Sequence, residues 1–265
     1  LFAAGLQAQL PAEFKPAFSP AAPGIAYAHE RLTTTNGPWS IHIVRLDWPA
    51  KDWQVVSTLA RGAVFGLSSI SYQVKSVAPR DGTPLVAVNG AFFVIQRDPY
   101  QGDPRGLQIR NGALVSAPTG GAAIWFDRRG RPRLVHVRSR LTVRWPDGSD
   151  TPLGLNEARA TNAAVLYTPT LGPSTRTAGG TELVLKRDGK SPWLPLAAGA
   201  QIKARVTEVR TAGDTRLEPD QMLVSLGPAL RERPATLTPG LRLTLATVTA
   251  PDLAGVQTAL AGGPA

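Results

Sequence analysis

The rhythm of this chain constrains its fold more than any single motif. Short apolar runs recur along it, each closed by Gly, Pro, Asn-Gly or Asp-Gly, and helical spacing is scarce. The breaks are supplied by 26 glycines and 24 prolines in 265 residues. Some runs alternate. Leu141, Val143 and Trp145 are separated by Thr142 and Arg144, the period of a strand buried on one face. Others are continuous, such as Leu85-Val86-Ala87-Val88, which has the composition of a buried strand. Strands are expected over residues 41–46, 53–59, 85–88, 122–126, 133–137, 141–145, 163–167, 181–186, 202–209, 222–226 and 241–248. One short helix is expected where Leu67, Ile70, Val74 and Val77 fall at helical spacing, with Ser68 or Ser69 as its cap and Pro79 and Gly82 at its end. The predicted class is therefore α+β, with β-dominated mixed sheets and one or two short helices. Residues 9–38, rich in Pro and Ala, read as a lead-in over the surface, and no linker or internal repeat interrupts the rest.

Composition narrows the function classes. A hydrophobic content of 43% supplies an ordinary core. No apolar run approaches the roughly 20 residues that span a bilayer, so no transmembrane segment is expected. The absence of cysteine excludes disulfides, thiol catalysis and Cys-ligated zinc. The net charge of +10 raises the question of nucleic acid. Its densest cluster, Arg128, Arg129, Arg131, Arg133, Arg138, Arg140 and Arg144, falls partly in a turn and partly between apolar strand residues. That pattern reads as a solvated sheet face. With no RNA-binding signature beside it, no nucleic-acid partner is expected. His29, His42 and His136 are far apart, none with a second ligand at metal spacing, so no metal and no cofactor is expected. Phosphate-binding and dinucleotide fingerprints are absent, and Ser68 and Ser69 lack a nucleophile elbow. The first residues, Leu1-Phe2-Ala3-Ala4-Gly5-Leu6-Gln7-Ala8, read as the tail of a secretory signal, which implies an exported protein, periplasmic or extracellular.

The stretch 84–118 carries the chemistry. After the 85–88 run come Asn89-Gly90, then Ala91-Phe92-Phe93-Val94-Ile95, then a polar loop holding Arg97, Asp98, Asp103 and Arg105 among Pro99, Gly102 and Pro104. A second strand-like segment turns at Asn111-Gly112. A strand ending in a loop dense in charge, Gly and Pro is how folds present a site. The residues alone leave alternatives open. Asn-Gly between apolar runs is a type I′ hairpin signal, and aspartates beside Pro and Gly are ordinary turn formers. The fork of Arg105 suits a phosphate, but it also suits a surface ion pair with Asp103. Asn156 and Arg176 occupy similar loop positions.

The segments V-A-V-N-G-A-F-F and P-R-G-L-Q-I-R-N-G-A-L-V-S-A-P, with 38–47 upstream and Ala261-Gly262-Gly263-Pro264 at the end, resemble the phosphodiester glycosidase family. The resemblance covers residues 24–265 and leaves 1–23 as a separate lead-in. It implies hydrolysis of a sugar from a sugar-1-phosphodiester or a related envelope glycan, the activity class of the lysosomal uncovering enzyme and of exopolysaccharide-related bacterial members. It further implies that Asn89, Gly90, Arg105, Gly262 and Gly263 contact the substrate. Asp98 and Asp103 become candidates for the carboxyl groups that glycoside cleavage requires. Ala91, Asn111 and Ala261 depart from the family's Gly, Asp and Gly. Family members continue past the Gly-Gly-Pro element into segments carrying most of their charged site residues. The resemblance therefore implies a C-terminally incomplete domain, with 262–264 close to Asn89-Gly90 at an open-sided cleft. The alternative is a non-catalytic carbohydrate-binding envelope module on the same fold.

Overall fold

The computed structural model describes residues 14–34, 37–47, 54–127, 129–231, 234 and 236–262. It forms two compact units, Leu1–Val55 and Val56–Gly263, divided where the sequence shows no linker. The signal-like stretch and Gly263 lie outside the described residues.

The first unit is an antiparallel sheet of β1 (Ser19–Ala22), β2 (Ile25–Thr34) and β3 (Gly37–Leu46) in that order. The expected 41–46 strand is the second half of β3. The surface lead-in is corrected: residues 19–34 are two strands. The more covered positions of β2 are Ile25, Ala26, Ala28, Glu30, Leu32 and Thr34, so small and polar residues interrupt its apolar alternation.

The second unit opens with a 3-10 turn (Ala60–Gly62) and α1 (Ile70–Lys75). The Ser69 hydroxyl caps α1 by accepting from Tyr72 N at 3.2 Å, as the sequence predicts. A second 3-10 turn, Pro79–Asp81, follows. The strands are then β4 (Gln108–Arg110), β5 (Ala113–Ser116), β6 (Thr119–Phe126), β7 (Pro132–Arg144), β8 (Asp150–Pro152), β9 (Gly154–Leu155), β10 (Ala164–Tyr167), β11 (Thr181–Arg187), β12 (Gln201–Arg210), β13 (Met222–Leu226), β14 (Arg242–Ala250) and β15 (Thr258–Ala261). They pair in the order β5-β4-β15-β6-β7-β14-β12-β11-β13-β10-β9, with β8 on β7. The β9–β10 pair is parallel and the others are antiparallel. The fold is β-dominated with mixed sheets and one short α-helix, as expected.

Continuous apolar runs mark the strands buried on both faces. Leu183 and Leu185 of β11 and Met222, Val224 and Leu226 of β13 join a large core with Ile109, Val143, Ile202 and Leu245. Val184, Leu223, Val165 and Tyr167 point the other way, into a second core with Phe65, Tyr100 and Leu171. β12 and β14 bury alternate residues, as half-buried strands do. Each fully buried Leu or Val here contributes about 1.5–3 kcal/mol.

Two strand assignments need correction. Residues 85–88 form no strand, and Leu85, Val86 and Val88 are 58%, 41% and 74% exposed. Among the described residues no backbone group of 84–90 has a hydrogen-bond partner, so apolar composition there lacks the neighbour a strand requires. Residues 54–59 also form no strand. Side chains tie them down instead: Ser57 Oγ donates to Ile109 O at 2.8 Å, and Gln108 Nε2 donates to Thr58 O at 3.0 Å. The strands expected at 133–137 and 141–145 are the two halves of β7, the first paired with β6 and the second with β14. The Asn111-Gly112 turn joins β4 to β5 with positive φ at both residues, 50° and 77°. Arg133 pairs with Asp127 and Arg144 with Asp150, while Arg138 and Arg140 are exposed on β7.

Candidate functional site

Two glycine-bearing motifs converge on β15. At Gly90 a Cβ would lie 2.1 Å from Leu260 Cδ2. At Gly106 (φ +118°) it would lie 2.9 Å from Ala261 Cβ. Both glycines thus pack closely against the last strand, and at Gly106 the positive φ adds to the preference for glycine. Of the 262–264 element expected close to Asn89-Gly90, Gly263 and Pro264 lie outside the described residues, and it is Leu260 that packs against Gly90. Gly262 adds one more hydrogen bond, its N–H donating to Ala122 O at 3.1 Å. Asn89 itself is exposed.

Between these glycines the chain folds back on itself. Val94 N donates to Asp103 O at 2.9 Å, Gly102 N to Val94 O at 2.9 Å and Arg105 N to Phe92 O at 2.7 Å. The loop thus inserts Tyr100 into the second core, where its ring meets Phe65 edge-on at 5.3 Å. Arg176 holds the loop from outside, donating to Pro99 O at 2.6 Å with its guanidinium 4.0 Å over the Phe65 ring.

The two aspartates of the loop have different roles. Asp98 is a turn former, its Oδ1 accepting from Tyr100 N at 2.7 Å. Asp103 is 8% exposed, and its Oδ1 is buried with no hydrogen-bond partner. Burial pushes its pKa up to about 7, helped by the negative charge of Glu157 and opposed by Arg105. Arg105 is exposed and makes no ion pair with Asp103 among the described residues, which leaves its donors open to solvent or an anion.

Glu157 was not singled out from the sequence. Its Oε1 would lie 2.0 Å from a Cβ at Gly154, so the carboxyl lies against the β9 backbone. The packing raises its pKa although part of the side chain reaches solvent. A shallow pocket of about 360 Å³ lies on its side, lined also by Thr151, Leu153, Gly154, Asn162 and Leu230. The pocket does not reach Asn89, Asp103 or Arg105.

Beneath the loop lies a buried polar network. Tyr100 Oη lies 3.0 Å from Tyr167 Oη and donates to Thr175 O, and Tyr167 Oη donates to Glu157 O at 2.9 Å. Burial raises the pKa of both phenols, so they act as neutral donors. Asn156, fully buried with φ 52°, donates to Val115 O at 2.9 Å and accepts from Thr168 N at 2.9 Å. It is a brace for β10. Glu182, also fully buried, accepts from Thr177 Oγ1, Thr215 N and Ser225 Oγ at 2.9, 3.1 and 2.9 Å. The one sequence signal for such a residue is its place as the lone acid inside the apolar run of β11. No comparable signal marks Glu157.

Among the described residues no group of three or more His, Asp or Glu is gathered for a metal, and no helix is long and apolar enough to cross a membrane.

No protein-family model matches the chain, and no curated protein sequence matches it. Solved structures do. A hypothetical protein from Synechocystis superposes with a TM-score of 0.69 at 17% identity, over 94% of this chain and 44% of that one. A "Putative exported protein" from Burkholderia pseudomallei K96243 superposes with a TM-score of 0.55 at 20% identity, over 86% of this chain and 50% of that one. The fold is therefore shared, and the chain spans about half the length of these structures.

The site has the parts of acid–base chemistry on an anionic substrate. Asp103 offers a proton near neutral pH, Glu157 a second carboxyl, and Arg105 a free cationic fork two residues from Asp103.

Proposed function

We propose that this protein is an exported hydrolase of the phosphodiester glycosidase type, cleaving a sugar from a sugar-1-phosphodiester or a related envelope glycan. The observation that carries the reading is Asp103. A buried carboxyl with an unpartnered oxygen and a pKa of about 7 is poised to protonate a leaving oxygen. Arg105 supports it as the group that would take up charge on the departing phosphate. Glu157, whose charge helps to raise the pKa of Asp103, is the candidate second carboxyl. Two of the segments that resemble the family pair with each other in this loop, through Phe92 and Val94 with Asp103 and Arg105, and the Burkholderia protein's description supports export, to the periplasm or beyond.

The test is release of sugar from a sugar-1-phosphodiester by the full-length protein and by its variants, since the resemblance implies that residues 1–265 alone are catalytically silent. The expected outcome is turnover that falls about 10²–10⁴-fold in Asp103→Asn and about 10²-fold in Arg105→Ala. Undiminished turnover in Asp103→Asn would overturn the assignment. Glycan binding without turnover at any pH would favour the carbohydrate-binding module.

A further inference from the structure

The β6–β7 hairpin carries a surface pattern that the loop around Asp103 does not use. Between Thr119 and Arg140 the sequence has six arginines and one acid, Asp127. Strand alternation sets Ile124 and Phe126 of β6 on one face with Pro132, Leu134, Arg138 and Arg140 of β7. The register pairs Phe126 with Pro132 and Ile124 with Leu134, and across β14 it pairs Arg140 with Val248. The opposite face sends Val137, Leu141 and Val143 into the large core, so this face is the outer one. Its apolar side chains are left in solvent: Leu134 is 75% exposed, Val248 54% and Ile124 42%. Arginines flank them on both sides. Arg129 and Arg131 stand exposed in the turn, and Arg138 and Arg140, also exposed, follow Leu134 at about 13 and 20 Å along the strand. None of these four makes an ion pair among the described residues. The acids nearby are engaged elsewhere. Asp127 accepts from the backbone of Arg129 and Arg131 and from the Arg133 side chain, and Asp150 accepts from Arg144 Nε and Nη2 at 2.9 Å each.

Free positive charge alone would suit any polyanion, and exposed aliphatic side chains alone would suit any apolar partner. Their combination fits a bilayer with anionic headgroups. Such a surface takes up aliphatic side chains at the acyl boundary while arginines meet the phosphates above it. A nucleic acid would call for aromatic stacking platforms between the cations. A symmetric contact with a second copy would set Arg138 and Arg140 against like charges. We propose that the outer face of the β6–β7 hairpin, with Val248 beside it, is a docking surface for an anionic lipid bilayer. The contact is peripheral. Leu134 and Ile124 enter the boundary between headgroups and chains, and the planar forks of Arg138 and Arg140 take lipid phosphates. The proposal stands apart from the hydrolase reading, because none of these residues belongs to the Asp103 loop.

The test is sedimentation of residues 1–265 with vesicles of mixed phosphatidylglycerol and phosphatidylcholine, against vesicles of phosphatidylcholine alone. The expected result is binding about tenfold or more tighter to the anionic vesicles, weakened by salt. Affinity for them should fall about tenfold in Arg138→Gln/Arg140→Gln. It should stay unchanged in Arg210→Gln/Arg216→Gln, which removes the same charge from two exposed ion pairs elsewhere. Leu134→Ser keeps every charge, so its expected loss of about tenfold separates a bilayer from a soluble polyanion. Circular dichroism of each variant checks that these exposed substitutions leave the fold intact. Absence of binding to the anionic vesicles would overturn the proposal, as would equal losses in the two charge variants or undiminished binding in Leu134→Ser. Tighter binding to DNA or to an acidic polysaccharide than to the vesicles would overturn it as well.

Discussion

A carboxyl as buried as that of Asp103 ties folding stability to pH. Its pKa is about 7 in the folded chain and close to the ordinary 3.8 when unfolded. Between these values the native state holds a proton that the unfolded state has lost. Stability therefore falls as pH rises from about 4 to about 7 and changes no further from this group above that. The full effect is roughly 4 kcal/mol at most. Asp103→Asn cannot ionise, so it should be more stable than the parent at pH 8 and nearly equal to it at pH 4. Urea unfolding at both values measures the difference. A gain confined to low pH would contradict the assigned burial. The parent's cost at neutral pH is of the kind that functional carboxyls impose on their folds.

The stretch 85–95 presents the largest contrast between composition and environment. Leu85, Val88, Phe92 and Ile95 are 58%, 74%, 62% and 65% exposed, and the 84–90 backbone has no partner among the described residues. Unpaired, strand-like apolar segments recruit other chains. Replacing Leu85 and Val88 together by lysine should abolish concentration-dependent light scattering and leave unfolding free energy within about 0.5 kcal/mol per site. A large loss of stability would show instead that the run is packed. The same stretch shows what is legible at this scale. The β4–β5 hairpin was readable because Asn111-Gly112 encodes its own turn, and β10, β11 and β13 were readable because burial on both faces leaves unbroken apolar runs. β9 and β15 were not, since two and four residues gain strand character only from partners distant in sequence. Residues 85–88 are the converse case, with apolar propensity and no partner.

Across the whole molecule, β15 is the element that closes the design. It stands between β4 and β6 in the sheet, so the last described strand joins the β4–β5 hairpin to the remaining strands. That placement explains why Gly90 and Gly106, sixteen residues apart by number, share one packing partner in Leu260–Ala261. The motif residues themselves were visible in the sequence. The environment that separates Asp103 from Asp98, and the approach of Glu157, come only from folding, because burial and charge proximity across β9 and the loop have no local signature. The account rests on a carboxyl held protonated near neutrality. A carbon-13 carboxyl titration of the full chain, with the Asp103 signal assigned by its loss in Asp103→Asn, measures this directly. The account predicts a midpoint near 7 that moves down in Glu157→Gln, while an ordinary midpoint near 4 in the parent would contradict it.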